Sequence, residues 1–157
     1  MPELTPAKGD ILPAVTLDIT LRRLIFNAGA SWDTFPGHFD REYARAHGHE
    51  NVFANTSLLL AFADRVITDW AGPRTRIVRR RLSMGRLVHP GDVLRGEGVV
   101  TDVRRGGDLY LVDVEIDLST QRGPCARALA TVELPPPPAQ PRQLTRPPLA
   151  APRRAMK

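Results

Sequence analysis

The sequence predicts a single α+β domain in which an antiparallel sheet wraps around one long helix. Three observations carry that reading. Residues 55–70 hold an apolar stripe at helical spacing, the longest in the chain. Four extended segments follow it, separated by Gly- and Pro-containing turns. One alternating segment, Ala14–Thr20, precedes it. Strands gathered around a single helix form two layers that share one core.

The elements follow in chain order. Residues 1–13 read as irregular, and Ala14-Val-Thr-Leu-Asp-Ile-Thr20 alternates apolar and polar positions as a first strand does. Leu21 to Asn27 fits either element, because Leu21, Leu24 and Ile25 also stand at helical spacing. Asp40 to Ala46 forms a short helix whose opening Asp40 and Glu42 suit the positive end of the helix dipole, with Gly48 beyond its end. Asn55 caps the long helix, Leu58, Phe62 and Val66 supply its buried stripe, and Gly72-Pro73 closes it. Strands are expected at Thr75–Val88, Val93–Val103, Leu109–Leu118 and Ala126–Leu134. Turns are expected at His89-Pro-Gly-Asp92, Arg104-Arg-Gly-Gly107 and Gln121-Arg-Gly-Pro124.

Bulk properties narrow the function classes. The chain has 157 residues, 42% hydrophobic and 25% charged, which suits one soluble domain. No apolar run reaches the length that spans a bilayer, and the N-terminus lacks a signal-peptide layout, so a cytoplasmic protein is expected. The single Cys125 excludes an intrachain disulfide, and a buried, inert thiol is expected there. The net charge of +5 belongs to residues 136–157, which hold five of the 22 basic residues and none of the 17 acids. Residues 135–157 therefore read as a disordered Pro/Arg-rich tail behind a domain at 1–134. Basic and acidic residues balance in the domain, so no nucleic-acid-binding face is expected.

Asp33 and His38 form the candidate catalytic pair. They flank Thr-Phe-Pro-Gly, where Pro36 fixes its own φ and Gly37 permits a bend. A carboxylate and an imidazole raised from one turn can hold a water molecule and move its protons. His47 and His49 have no Cys/His cluster to join and are expected to face solvent, so no metal site is expected. Arg79-Arg-Arg81 reads as a solvated edge rather than a phosphate site, and Trp70 as a core or interface anchor.

This order of features resembles the MaoC-like, (R)-specific enoyl-CoA hydratase branch of the hot-dog fold. Asp33-Thr-Phe-Pro-Gly-His38 stands for that family's Asp–x–Asn–Pro–x–His segment ahead of the central helix, and His89-Pro-Gly-Asp92 for its Pro-Gly-Asp turn. Phe39-Asp-Arg-Glu-Tyr-Ala44 matches its short helix after the histidine, and the likeness spans residues 14–134. Two positions depart from the pattern: Phe35 replaces the asparagine, and Asn55-Thr56 stands where the family has His-Gly. Phe53-x-Asn55 with Thr68-Asp-Trp-Ala-Gly-Pro73 looks most like small MaoC-like subunits of actinobacterial steroid side-chain degradation, which work as heteromers.

The resemblance implies hydration of a trans-2-enoyl thioester of CoA or a carrier protein, or the reverse dehydration, with no cofactor. It assigns Asp33 and His38 to catalysis, and Asn55 and Thr56 to the substrate oxygen through the helix-start amides. A five-stranded sheet leaves an exposed edge strand, so a homodimer or a heteromer with another hot-dog chain is expected. Thioester hydrolysis and a non-catalytic assembly subunit are the alternative readings.

Overall fold

The computed structural model describes residues 5–135. Five strands form one antiparallel sheet: β1 (Ile11–Asp18), β2 (Arg76–Met84), β3 (Val93–Gly106), β4 (Leu109–Thr120) and β5 (Gly123–Leu134). Their spatial order is β1-β3-β4-β5-β2. Three helices accompany them, α1 (Leu21–Ala30), α2 (Arg41–Ala46) and α3 (Thr56–Ala71), with a 3-10 turn at Pro36–His38. This is the hot-dog arrangement, α3 lying in the hollow of the sheet.

The core follows from the two periodicities. From α3, Leu58, Leu59, Phe62, Ala63, Val66 and Ile67 are buried. Facing them on β4, Val112, Val114, Ile116 and Leu118 are all at most 1% exposed. A fully buried side chain of this kind stabilises the fold by about 1.5–3 kcal/mol. The Asn55 side chain accepts from the Leu58 amide to start α3, and Gly72 ends it at φ 83°.

What lets α3 lie close is a run of small inward residues: Gly96 and Gly98 on β3, and Ala126, Ala128 and Ala130 on β5. A Cβ at Gly96 would sit 2.7 Å from Val66 Cγ2 and 3.0 Å from the Phe62 ring. Gly96→Ala therefore forces helix and sheet apart. It is expected to lower unfolding free energy by about 1–3 kcal/mol, read as a shift in the denaturant midpoint; an unchanged midpoint would refute this packing.

Several sequence expectations are corrected. β1 begins at Ile11, inside the stretch read as irregular. The ambiguous Leu21–Asn27 is helical and runs on to Ala30, with Thr20 accepting from the Arg23 amide at its start. The four later strands are not consecutive neighbours. β2 lies at the far edge beside β5, so the segment ending in His89–Asp92 is a crossover and not a hairpin turn. Adjacent strands in sequence usually pair, but here buried His89 and Asp92 hold the connection against the domain's interior. β3, β4 and β5 also run longer than expected, which shortens both hairpin loops to two residues, Gly107-Asp108 and Gln121-Arg122. Of the segment expected as a disordered tail, residues 136–157 lie outside the described residues. Among the described residues no helix is long and apolar enough to cross a membrane.

Candidate active site

The end of α1 places Asp33. The Asp33 amide donates to Ala28 O at 2.9 Å and the Trp32 amide to Gly29 O at 3.3 Å. These are the two bonds of a Schellman motif, which wants its first donor residue in the left-handed conformation. That residue is Trp32, at φ 53°. The conformation costs an L-residue roughly 1–2 kcal/mol, and glycine is its usual occupant. Nothing in the sequence announced this.

The 3-10 turn places His38, which is 8% exposed. Its Nδ1 lies 2.9 Å from Phe53 O. A carbonyl only accepts, so Nδ1 carries the proton and a neutral ring keeps its lone pair on Nε2. Nε2 stands 3.3 Å from Asp33 Oδ2. One turn was expected to raise both groups; instead the end of α1 carries Asp33 and the 3-10 turn carries His38, and their side chains meet across the two. The role of Gly37 differs from the expected bend, however. A Cβ there would lie 2.5 Å from Phe35 Cε1, so the glycine makes room for the Phe35 ring. That ring meets His38 edge-on at 5.3 Å and Tyr43 at 5.7 Å, forming an aromatic wall where the family's asparagine stands.

Residues 52–55 are the spine of the site. Val52 O accepts from His89 Nδ1 at 2.8 Å, Ala54 N–H donates to Val88 O, and Phe53 N–H donates to Gly37 O. Asn55 is 4% exposed. Its Oδ1 accepts from the Leu58 amide, Ser57 Oγ and Asn27 Nδ2. The Leu58 bond fixes which way the amide faces, because a backbone N–H can only donate. Asn55 Nδ2 must therefore donate to Asp33 Oδ2, at 3.0 Å, and to Ser31 Oγ, at 3.2 Å. With every position of its side chain occupied inside the chain, Asn55 orients Asp33, in place of the direct substrate contact expected of it. Thr56 is exposed and is the first residue of α3, where backbone N–H groups have no partner within the helix.

Outside the site, Arg80 pairs with Asp64 of α3 while Arg79 and Arg81 stay exposed on the edge strand β2. Asp69 pairs with Arg65 one turn earlier at 3.2 Å. His47 stacks on Tyr43 in the open, but His49 is half-buried edge-on to Phe53 rather than solvated. Trp70 packs partly buried against the core. Cys125 is buried, and that burial pushes its thiol up.

A long helix cradled by a five-stranded sheet, with a histidine–carboxylate pair beside its capped N-terminus, defines a MaoC-like hot-dog protein. The chain belongs to this family: residues 6–121 match the MaoC like domain. It is 32% identical over 98 residues to the 3-oxo-4,17-pregnadiene-20-carboxyl-CoA hydratase beta subunit of Mycobacterium tuberculosis, covering 62% of this chain and 76% of that one. Among solved structures, the ChsH1-ChsH2 complex from M. tuberculosis matches with a TM-score of 0.78 at 27% identity, covering 83% of this chain and 99% of the other. The (R)-hydratase PhaJ1 from Pseudomonas aeruginosa matches with a TM-score of 0.75 at 25% identity, covering 84% of each chain.

Proposed function

We propose that this chain hydrates a trans-2-enoyl thioester of CoA or a carrier protein, or dehydrates the 3-hydroxyacyl product, as one subunit of a dimer or heteromer with another hot-dog chain. The observation that carries the reading is the separation of 3.3 Å between His38 Nε2 and Asp33 Oδ2, with Nδ1 tied to Phe53 O. Both facing atoms are acceptors. A water molecule donating one hydrogen to each keeps an oxygen lone pair free for the substrate's Cβ. The water oxygen bonds to Cβ, one of its protons passes to the pair, and a proton is delivered to Cα. The thioester oxygen, charged in the intermediate, is met by the Thr56 amide at the start of α3, where the helix dipole favours it. Losing one such donor typically costs about 3–4 kcal/mol of barrier. The thioester is the substrate, and the reaction calls on no further cofactor.

The partner is argued from the sheet edges. β1 is interrupted by Pro13, which has no N–H to give an added strand, whereas β2 has no proline. β2 exposes Val78 and Met84, each 45% accessible. Met84 Sδ also accepts from Thr56 Oγ1 at 3.2 Å, so a chain added along β2 lies beside the start of α3. The similarity to a hydratase beta subunit and to a two-chain complex supports a heteromer.

The test is hydration of crotonyl-CoA by the chain with its hot-dog partner, followed beside release of free CoA from a saturated acyl-CoA. Hydration without CoA release is expected. CoA release alone would make the protein a thioesterase, and neither reaction would leave an assembly subunit. Asn55→Asp probes the same geometry: it keeps a good helix cap but turns the donor 3.0 Å from Asp33 into an acceptor. Turnover is expected to fall about tenfold or more, since hydrogen bonds to charged groups contribute about 1.5–3 kcal/mol, with the helical circular-dichroism signal retained. Unchanged turnover would remove Asn55 from the site.

A further inference from the structure

We propose that the groove between α1 and the Trp32–Phe39 loop takes the part of the acyl group beyond its reacting carbons, with Trp32 setting the preference for acyl size. The proposal rests on the thioester reading above. The groove has a volume of about 350 Å³ and is lined by Ile25, Ala28, Gly29, Trp32 and Phe39, with Thr34 and with Asp33 as its single titratable group. Ala28 and Gly29 lack bulk, while Trp32, Ile25 and Phe39 are 88%, 47% and 40% exposed. Apolar surface of this kind, grouped around one functional carboxylate, fits a ligand that is apolar apart from its reacting end.

Direction supports the assignment. One side of Asp33 is closed by Asn55 and Ser31, which lead to the start of α3, where a thioester oxygen is stabilised. A substrate whose Cα and Cβ lie at Asp33 and His38 must extend its remaining carbons away from that helix start. The groove is the apolar space that begins at Asp33 and runs along α1.

Trp32 supplies the independent observation. It occupies the left-handed C-cap position of α1 at φ 53° while its own side chain is 88% exposed. Glycine there would relieve the strain, and an exposed indole contributes little burial to the fold in return. A large, rigid, apolar side chain held in a strained backbone at the mouth of a groove is explained by what it touches when the groove is filled.

The experiment uses the full chain with its hot-dog partner and measures butyryl-CoA and decanoyl-CoA binding by calorimetry. Both are saturated, so binding is read without turnover. The native protein is expected to bind decanoyl-CoA more tightly. Trp32→Gly and Trp32→Asn are expected to reduce that preference about tenfold, with a thermal midpoint no lower than the native one. A preference unchanged in both variants overturns the proposal, as does a loss of affinity for both ligands in equal proportion. Weakened association with the partner at unchanged preference also overturns it, and marks Trp32 as a subunit contact. If decanoyl-CoA preference depends on Trp32 but neither crotonyl-CoA nor trans-2-decenoyl-CoA is hydrated, the groove stands and the hydratase assignment fails.

Discussion

Replacing His38 with alanine is expected to lower kcat for enoyl-thioester hydration by about 10²–10⁴-fold, the usual contribution of a positioned general base, with KM moved far less. The imidazole is the group whose free lone pair is oriented by the fold: Nδ1 is held on Phe53 O, leaving Nε2 to face Asp33. Asp33→Asn should cost a comparable factor for a different reason. The amide is the same size, but Asp33 Oδ2 faces both Asn55 Nδ2 and His38 Nε2. An NH2 there would oppose the Asn55 donor and occupy the Nε2 lone pair that must take the water proton, and a carbonyl oxygen there would lack the charge that helps hold the water. The double variant should be little worse than either single one, because residues that act as a unit are not additive. Steady-state kinetics on the complex with the hot-dog partner, with circular dichroism to confirm folding, is the measurement. Near-native turnover in either variant defeats the mechanism.

Sequence alone revealed the parts of the site that rest on local chemistry. Asp33 and His38 sit five positions apart on either side of a Pro-Gly step, and the structure brings their side chains within 3.3 Å. The α3 cap was legible because an asparagine ahead of an apolar helical stripe has few other uses. What could not be read depends on contacts between distant segments. Asn55 faces Asp33 only because α1 folds back across the start of α3, bringing Asn27 and Ser31 to the same amide. The Trp32 backbone breaks the preference for glycine at a helix C-cap, so pattern reading passed over it. The position of β2 was missed for a related reason. A turn-like Pro-Gly-Asp sequence suggests a hairpin, whereas here the same residues anchor a crossover. Nor does the sequence show why Gly96 and Gly98 stand in β3: they are the places where α3 and Leu12 approach the sheet.

Asp92→Ala is expected to destabilise the domain by about 3 kcal/mol, the lower end of what breaking a buried ion pair costs, since Arg122 keeps some access to water. Asp92 is 4% exposed. One of its oxygens accepts from the His89 amide at 2.8 Å and from Arg122 at 2.9 Å, and the other accepts from Gln121 Nε2 at 3.0 Å. Arg122 reaches on to Glu50 at 2.6 Å, while its Nε has no partner. Alanine leaves three donors without their acceptor at once, and Arg122 loses its tie to the crossover while Gln121 keeps only its bonds to Gly91 O and the Val93 amide. Asp92→Asn, which retains an acceptor for the His89 amide but not the charge, should lose less. Chemical denaturation of the three proteins gives the order native, Asp92→Asn, Asp92→Ala. The consequence for the site is physical rather than electrostatic. His89 holds Val52 O, and the next carbonyl, Phe53 O, holds His38. A loosened crossover should therefore lower kcat at temperatures where the alanine variant is still folded. Equal stability of all three proteins would show that this turn serves neither fold nor site.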